Sequence, residues 1–250
     1  MANPDNYFVF NDVSSLDMGL VVEKIPQRHM AEKHLEEYRI LGRSKPLHIW
    51  DQSWEPYPVR YKCWFRGGPP EKQLHEIAEW LHGAPVESRL EDSYDTTVYH
   101  LATYKGGADV DILMREVGKF TVEFTVGAQA FLKMTETALL YTSPSGGFLN
   151  NPTPFVTKPL VRVVTDGIRV GGSVYIGAEV LTLNWSDTAR HEIWVDCEEE
   201  EAWEIVDGQE VSCNAWIAGA DFIQIQPGRN DVSFTDSFES VAVYTRCYTL

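Results

Sequence analysis

Apolar and polar residues alternate with a period of two through much of this chain, as expected of strands with one buried face. The clearest such run is residues 119–131, KFTVEFTVGAQAF, and residues 59–65, VRYKCWF, form another. Residues 7–10, YFVF, read as a short strand stopped by the turn-like Asn11-Asp12, and residues 19–25 as a second strand ending at Pro26. Residues 32–43, EKHLEEYRILGR, mix charged and apolar positions in a way that fits an exposed edge strand better than an amphipathic helix. The turn Gly42-Arg43-Ser44-Lys45-Pro46 follows. The period changes to that of a helix over residues 70–81. Pro70 suits a first turn, Glu71 complements the dipole, Leu74, Ile77, Ala78 and Leu81 make one stripe, and Gly83 supplies the stop.

Composition breaks near residue 142. Thr142-Ser143-Pro144-Ser145-Gly146-Gly147 and Asn150-Asn151-Pro152-Thr153-Pro154 make a turn-rich connection around Phe148-Leu149. Beyond it come short runs such as PLVRVVT, SVYIG, EVLTLNW, HEIWVDC, EAWEIV, DFIQIQPG, DVSFTD and SVAVYTRCYTL, with Gly, Asn or Asp between them. That is the pattern of an antiparallel sandwich or jelly roll, and no βαβ rhythm is present. The expected fold is therefore mainly β. Residues 1–142 form a mixed β domain with one helix, and residues 143–250 form an all-β domain.

Composition narrows the partners. The chain has 250 residues, 44% of them apolar and 23% charged, a globular balance. Its formal net charge of −16 repels phosphate backbones, so direct nucleic-acid binding is disfavoured. No signal peptide is recognisable at the start, and no run approaches the roughly 18–20 apolar residues that span a bilayer. Cys63, Cys197, Cys213 and Cys247 lie far apart with no CxxC pair and read as buried thiols; a chain this large does not need disulfide staples.

Candidate chemistry is sparse. His75-Glu76-Ile77-Ala78-Glu79 begins like a zinc-protease helix, but Glu79 stands where the second His ligand belongs, and His82 is too far along to complete a pair. The acidic run Glu198-Glu199-Glu200-Glu201, with Asp196, Glu204, Asp207 and Glu210 nearby, lacks the turn residues that fold carboxylates around calcium. It reads as a solvated hairpin or a docking surface for a basic partner. Trp64, Trp185, Trp194 and Trp216 read as core or subunit packing rather than sugar-stacking faces. Trp50 and Trp54, beside Pro56 and Pro58, which interrupt regular strand pairing, read as an interdomain or intersubunit contact. No catalytic, cofactor-binding or metal-binding residue is nominated, no cofactor is expected, and the chain is not read as an enzyme.

Several segments, taken in order, resemble the distal tail (Dit) protein family of siphophages infecting Gram-positive bacteria. They are YFVFNDVSSLDMGLVV at the start, and YRILGRSKPLH, where Leu41 replaces the usual proline before Gly42-Arg43. They continue with IAEWLHG followed by SRLEDSYDTTVYHLATY, and with GKFTVEFTVGAQAFLK. In the second half they are NNPTPFVTKPLVRV, with Asn151-Pro152 and Pro159 as landmarks, HEIWVDCEEEEAWEI, and FIQIQPGRNDVSF, with Pro227, Gly228 and Asn230 marking a PGxN turn. The resemblance spans almost the whole chain. It implies an N-terminal ring or belt domain and a C-terminal galectin-like β-sandwich projecting outward, in a structural component of the phage tail tip or baseplate. Implied partners are further copies in a homohexameric ring, possibly stacked, the tail tube protein, the tail-associated hub protein and receptor-binding or baseplate proteins. DNA would pass through the lumen without specific binding. The expected location is the distal end of the virion tail, after synthesis in the host cytoplasm. Residues 32–43 and 119–131 are the nominated ring-forming elements. The alternative reading is a carbohydrate-binding sandwich module for host surface attachment.

Overall fold

The structure is a computed structural model that describes residues 6–27, 29–66, 70–106, 110–114, 117–219 and 222–250. The chain divides into two compact units after Ala130. The first contains β1 (Phe8–Phe10), β2 (Val13–Ser14), β3 (Leu20–Val22), β4 (Glu32–Tyr38), β5 (Leu47–Glu55), β6 (Tyr57–Arg66), the helix α1 (Pro70–Gly83), β7 (Ser88–Asp92), β8 (Asp95–Tyr104), β9 (Val110–Met114) and most of β10 (Val117–Leu132). Its main sheet runs β2-β1-β7-β8-β10-β6-β3, with β9 also on β10.

Alternation places the core. The antiparallel ladder of β10 on β6 runs from Val117 opposite Arg66 to Val126 opposite Tyr57. Phe120, Val122, Phe124 and Val126 point inward from β10 and meet Val59, Tyr61 and Cys63 of β6. Helix α1 closes this core with Ile77, Leu81 and Trp80. Trp80 stacks on Phe8 at 5.7 Å, and its indole N–H donates to the Phe10 carbonyl at 3.0 Å. The expected stripe needs one correction: Ala78 is exposed, and the neighbouring Trp80 is the buried residue. A large ring that can also satisfy its polar N–H inside outcompetes a methyl group for that face. Pro58 also departs from expectation. Pro56 does separate β5 from β6, but Pro58 lies inside β6 opposite Thr125.

The second unit is a two-sheet sandwich. Its strands are β11 (Leu139–Tyr141), β12 (Gly147–Asn151), β13 (Leu160–Thr165), β14 (Gly172–Ile176), β15 (Glu179–Leu183), β16 (Glu192–Asp196), β17 (Glu201–Val206), β18 (Gln209–Ser212), β19 (Ile217–Ala218), β20 (Gly228–Phe234), β21 (Phe238–Tyr244) and β22 (Tyr248–Thr249). One sheet is ordered β11-β21-β13-β16-β17-β18 and the other β12-β20-β14-β15-β19. Val161, Val163, Ile193 and Val195 from the first sheet pack with Val174, Ile176, Leu181 and Leu183 from the second. The turn-rich connection at residues 142–154 falls within this unit, because β11 before it pairs with β21. Residues 222–227 are not a strand; only Ile225 bridges, to Thr157, before β20 begins at Gly228.

Two buried asparagines explain that end of the sandwich. Asn151 is 1% exposed, donates to the Phe155 carbonyl at 2.7 Å and accepts the Thr153 N–H at 3.0 Å. Asn230, 4% exposed, accepts the Gln226 N–H and donates back to the Gln226 carbonyl at 2.8 Å, holding the PGxN turn. Each amide replaces backbone partners that an irregular segment cannot supply. All four cysteines are free and buried, and burial pushes the Cys63, Cys197 and Cys213 thiols up to about 12, and Cys247 upward as well. Such thiols are inert at neutral pH. Among the described residues no helix is long and apolar enough to cross a membrane.

Candidate assembly surface

Strands β4 and β5 form a two-stranded sheet of their own, apart from the three larger sheets. Glu32 lies opposite Glu55, Lys33 opposite Trp54, Leu35 opposite Trp50 and Tyr38 opposite Leu47, with a bulge between Lys33 and Leu35. One face is aromatic. Lys33 Nζ sits 4.2 Å from the Trp50 ring centre, and Trp50 and Trp54 meet edge to face at 5.4 Å. The Trp50 indole N–H donates to the Ser53 carbonyl at 2.8 Å, which fixes the bulged segment.

The other face carries Glu32, His34, Glu36 and Glu55. His34 Nδ1 lies 2.7 Å from Asp51 Oδ2, and its Nε2 lies 3.9 Å from Glu55. Hydrogen bonds from the Ser53 hydroxyl and N–H, and then from His34, hold the Asp51 carboxyl at about 2. The hydrogen bond and charge of Asp51 raise the His34 imidazole above its ordinary 6.5. This partly relieves the like-charge pair formed by Glu32 and Glu55, which taken alone is unfavourable.

Six large apolar side chains of the hairpin stay in water: Leu35, Tyr38, Ile40, Leu47, Ile49 and Trp50 are each between 38% and 50% exposed, and Leu41 at the tip is fully so. A lone two-stranded hairpin is marginal in water, and clustered exposed apolar groups mark interaction surfaces. The sequence reading of residues 32–43 as an exposed strand, and of Trp50 and Trp54 as contact residues, thus meets in one element. The other nominated segment, residues 119–131, is different. It lies between β8 and β6 within the sheet, and its edge toward β6 is paired through Val126.

The remaining candidates stay apart. His75 and Glu79 are exposed on α1, Glu76 pairs with Lys72 at 3.5 Å, and exposed His82 rests against the Tyr104 ring at 5.1 Å. No group of three potential metal ligands occurs among the described residues. Glu198, Glu199 and Glu200 form an exposed turn whose N–H groups at 198 and 199 are taken by Asp196. Trp185 is buried in the sandwich core. Trp194 instead lies part-exposed, stacked on Trp203 at 6.5 Å and on Tyr244 at 5.9 Å, with the Arg162 guanidinium 5.6 Å from its ring. Sequence reading missed this row, whose members come from three strands; Trp194 and Trp203 are cross-strand partners only because the 197–200 turn fixes their register.

The full architecture has counterparts among solved structures. The SPP1 Dit (gp 19.1) protein, described as a paradigm of the hub adsorption apparatus in phages infecting Gram-positive bacteria, superposes with a TM-score of 0.70 over 98% of this chain and 99% of its own, at 16% identity. This chain has the Dit fold. Chains of the phage P2 baseplate in its activated conformation, with Ca and with Sr, superpose at TM-scores of 0.58 and 0.57 and 7% identity, each over 95% of this chain and 97% of theirs. No family model and no curated protein matches the sequence. The resemblance read from short ordered motifs and the likeness in three dimensions therefore agree on the same family of shapes.

Proposed function

We propose that this protein is a structural subunit of a phage tail tip or baseplate. Copies form a ring that joins the tail tube to the tail-associated hub protein and anchors receptor-binding components at the distal end of the virion. The role is assembly without turnover. The observation that carries this reading is the likeness to SPP1 Dit over both units and nearly every residue of both chains. The exposed apolar hairpin supports it, because a closed ring uses heterologous contacts that cover such surfaces. On this reading the first unit, up to Ala130, supplies the ring domain, and the sandwich unit that follows it the galectin-like domain that faces partners.

Light scattering coupled to size exclusion tests it, over a concentration series and two salt levels. A discrete species near six times 28.4 kDa supports the ring, and imaging of that species should show a central channel. A monomer under every condition counts against self-assembly.

A second reading, glycan binding by the sandwich, has one observation behind it: the part-exposed Trp194, Trp203 and Tyr244 row. It predicts saturable binding of a polysaccharide by the full chain that Trp203→Ala abolishes.

A further inference from the structure

The tip of the β4–β5 hairpin has a charge opposite to that of the protein as a whole. Residues 39–45, RILGRSK, contain Arg39, Arg43 and Lys45 and no carboxylate, in a chain whose net charge is −16. The remainder is therefore more acidic still. Every residue from 39 to 45 is exposed. Among the described residues no carboxylate lies within ion-pair distance of these three cations.

The turn also presents an apolar prong. The Arg43 N–H donates to the Ile40 carbonyl at 3.1 Å, and Gly42 has φ +82 with open space where a Cβ would stand. That is a type II turn with Gly at its third position, which leaves Leu41 at the outer corner. Leu41 is 104% exposed and Ile40 46%. An aliphatic anchor ringed by unpaired cations has the layout of an interface centre with a polar rim.

Charge also constrains the symmetry of the contact. Two such tips facing one another would set like charges together, so an isologous tip-to-tip contact is disfavoured. The complementary surface available in a preparation of this protein alone is the acidic remainder of another copy. A contact between tip and body is heterologous, and repetition of it closes a ring or extends a filament. Nucleic acid is the less favoured occupant, since the acidic body beside the tip repels a phosphate backbone.

We propose that the hairpin tip docks head-to-tail on the acidic surface of a second copy of this chain, with Leu41 as apolar anchor and Arg39, Arg43 and Lys45 paired to carboxylates around it. This deepens the ring reading and rests on it.

The test is sedimentation velocity of the full chain over a concentration series at low and high salt, together with carbodiimide coupling between unlabelled and 15N-labelled copies. Wild type should associate, less so at high salt, and couple Lys45 to Asp or Glu in mixed-label pairs. The triple variant R39E/R43E/K45E and the separate L41S should each weaken association by about tenfold or more while keeping the wild-type circular dichroism. If the triple variant loses its fold, the milder R39Q/R43Q/K45Q is read in its place. A folded triple variant that associates like wild type would overturn the tip contact and leave the ring standing. A wild type that stays monomeric at every concentration and both salts would remove the ring and the tip contact together. Binding of duplex DNA that needs the three cations, with self-association unchanged by their loss, would assign the tip to phosphate and overturn the proposal.

Discussion

The Arg246 guanidinium grips the Asp196 carboxylate through two parallel hydrogen bonds, Nη1 to Oδ1 and Nη2 to Oδ2, both 2.8 Å. The same carboxylate accepts the N–H groups of Glu198 and Glu199, so one side chain ties the β16–β17 turn to the segment after β21. Burial alone would push the Asp196 carboxyl up, but the Arg246 hydrogen bonds and charge, with the two turn N–H groups, outweigh it and hold it below the usual carboxylate range.

Asp196→Ala should therefore destabilise the protein by about 2–4 kcal/mol, since it leaves a part-buried guanidinium and two turn N–H groups without their acceptor. The contribution is present above pH 3.8, the ordinary carboxyl value, and is lost as pH falls through the lower folded value. Urea midpoints for wild type and variant should therefore converge in strong acid.

His191 makes the opposite prediction. Its ring lies between Asp187 and Glu204, 2.8 Å from each, and is only 10% exposed. Burial pulls the imidazole pKa down, but the hydrogen bonds to the two carboxylates more than offset this and raise it above 6.5. Stability from the charged ring is complete below pH 6.5 and is lost as pH rises through the raised folded value. Thermal midpoints should fall over that interval in wild type, and His191→Gln should flatten the fall. An NMR titration of the ring that reads below 6.5 would contradict this.

The legible part of this protein was its backbone pattern. Alternation located β10, β13 and β16 because their inward residues, Phe124, Val163 and Ile193, have no other way to leave water. The helix was legible from its stripe, but Trp80 was not, because its burial depends on the Phe10 carbonyl available to its N–H. Gly42-Arg43 and the PGxN turn could be read as landmarks, and Asn230 shows why: its amide replaces the backbone partners of that turn. What could not be read depends on residues far apart in sequence. Asp196 and Arg246 are 50 positions apart, and nothing local marks either as the other's partner. The exposure of the hairpin could be inferred from mixed charge, but its separation from the larger sheets could not.

Glycines with the same backbone sign should differ sharply in tolerance. Gly146 has φ +60, and a Cβ there would lie 1.9 Å from the Val232 carbonyl oxygen. Gly208 has φ +78 with nothing within 4 Å. Gly208→Ala should cost only the left-handed backbone penalty, about 1–2 kcal/mol. Gly146→Ala must also displace a strand carbonyl of β20, which pairs with β12, and should cost more than 3 kcal/mol. Chemical denaturation of the two variants side by side measures the difference.

Leu41 offers a substitution that should be favourable. It occupies the second position of a type II turn, where proline is common because its fixed φ matches the geometry. The hydrogen bond that closes the turn uses the Arg43 N–H, so removing the N–H of residue 41 leaves it intact. Leu41→Pro should keep the fold and stabilise the hairpin by about 0.4–1 kcal/mol, through fewer accessible conformations in the unfolded chain. The same change removes the exposed isobutyl group, so hairpin stability and self-association should move in opposite directions. Hydrogen exchange of the β4–β5 amides reads the first and sedimentation the second. Unchanged association in a more protected hairpin would show that Leu41 is a turn residue and not an anchor.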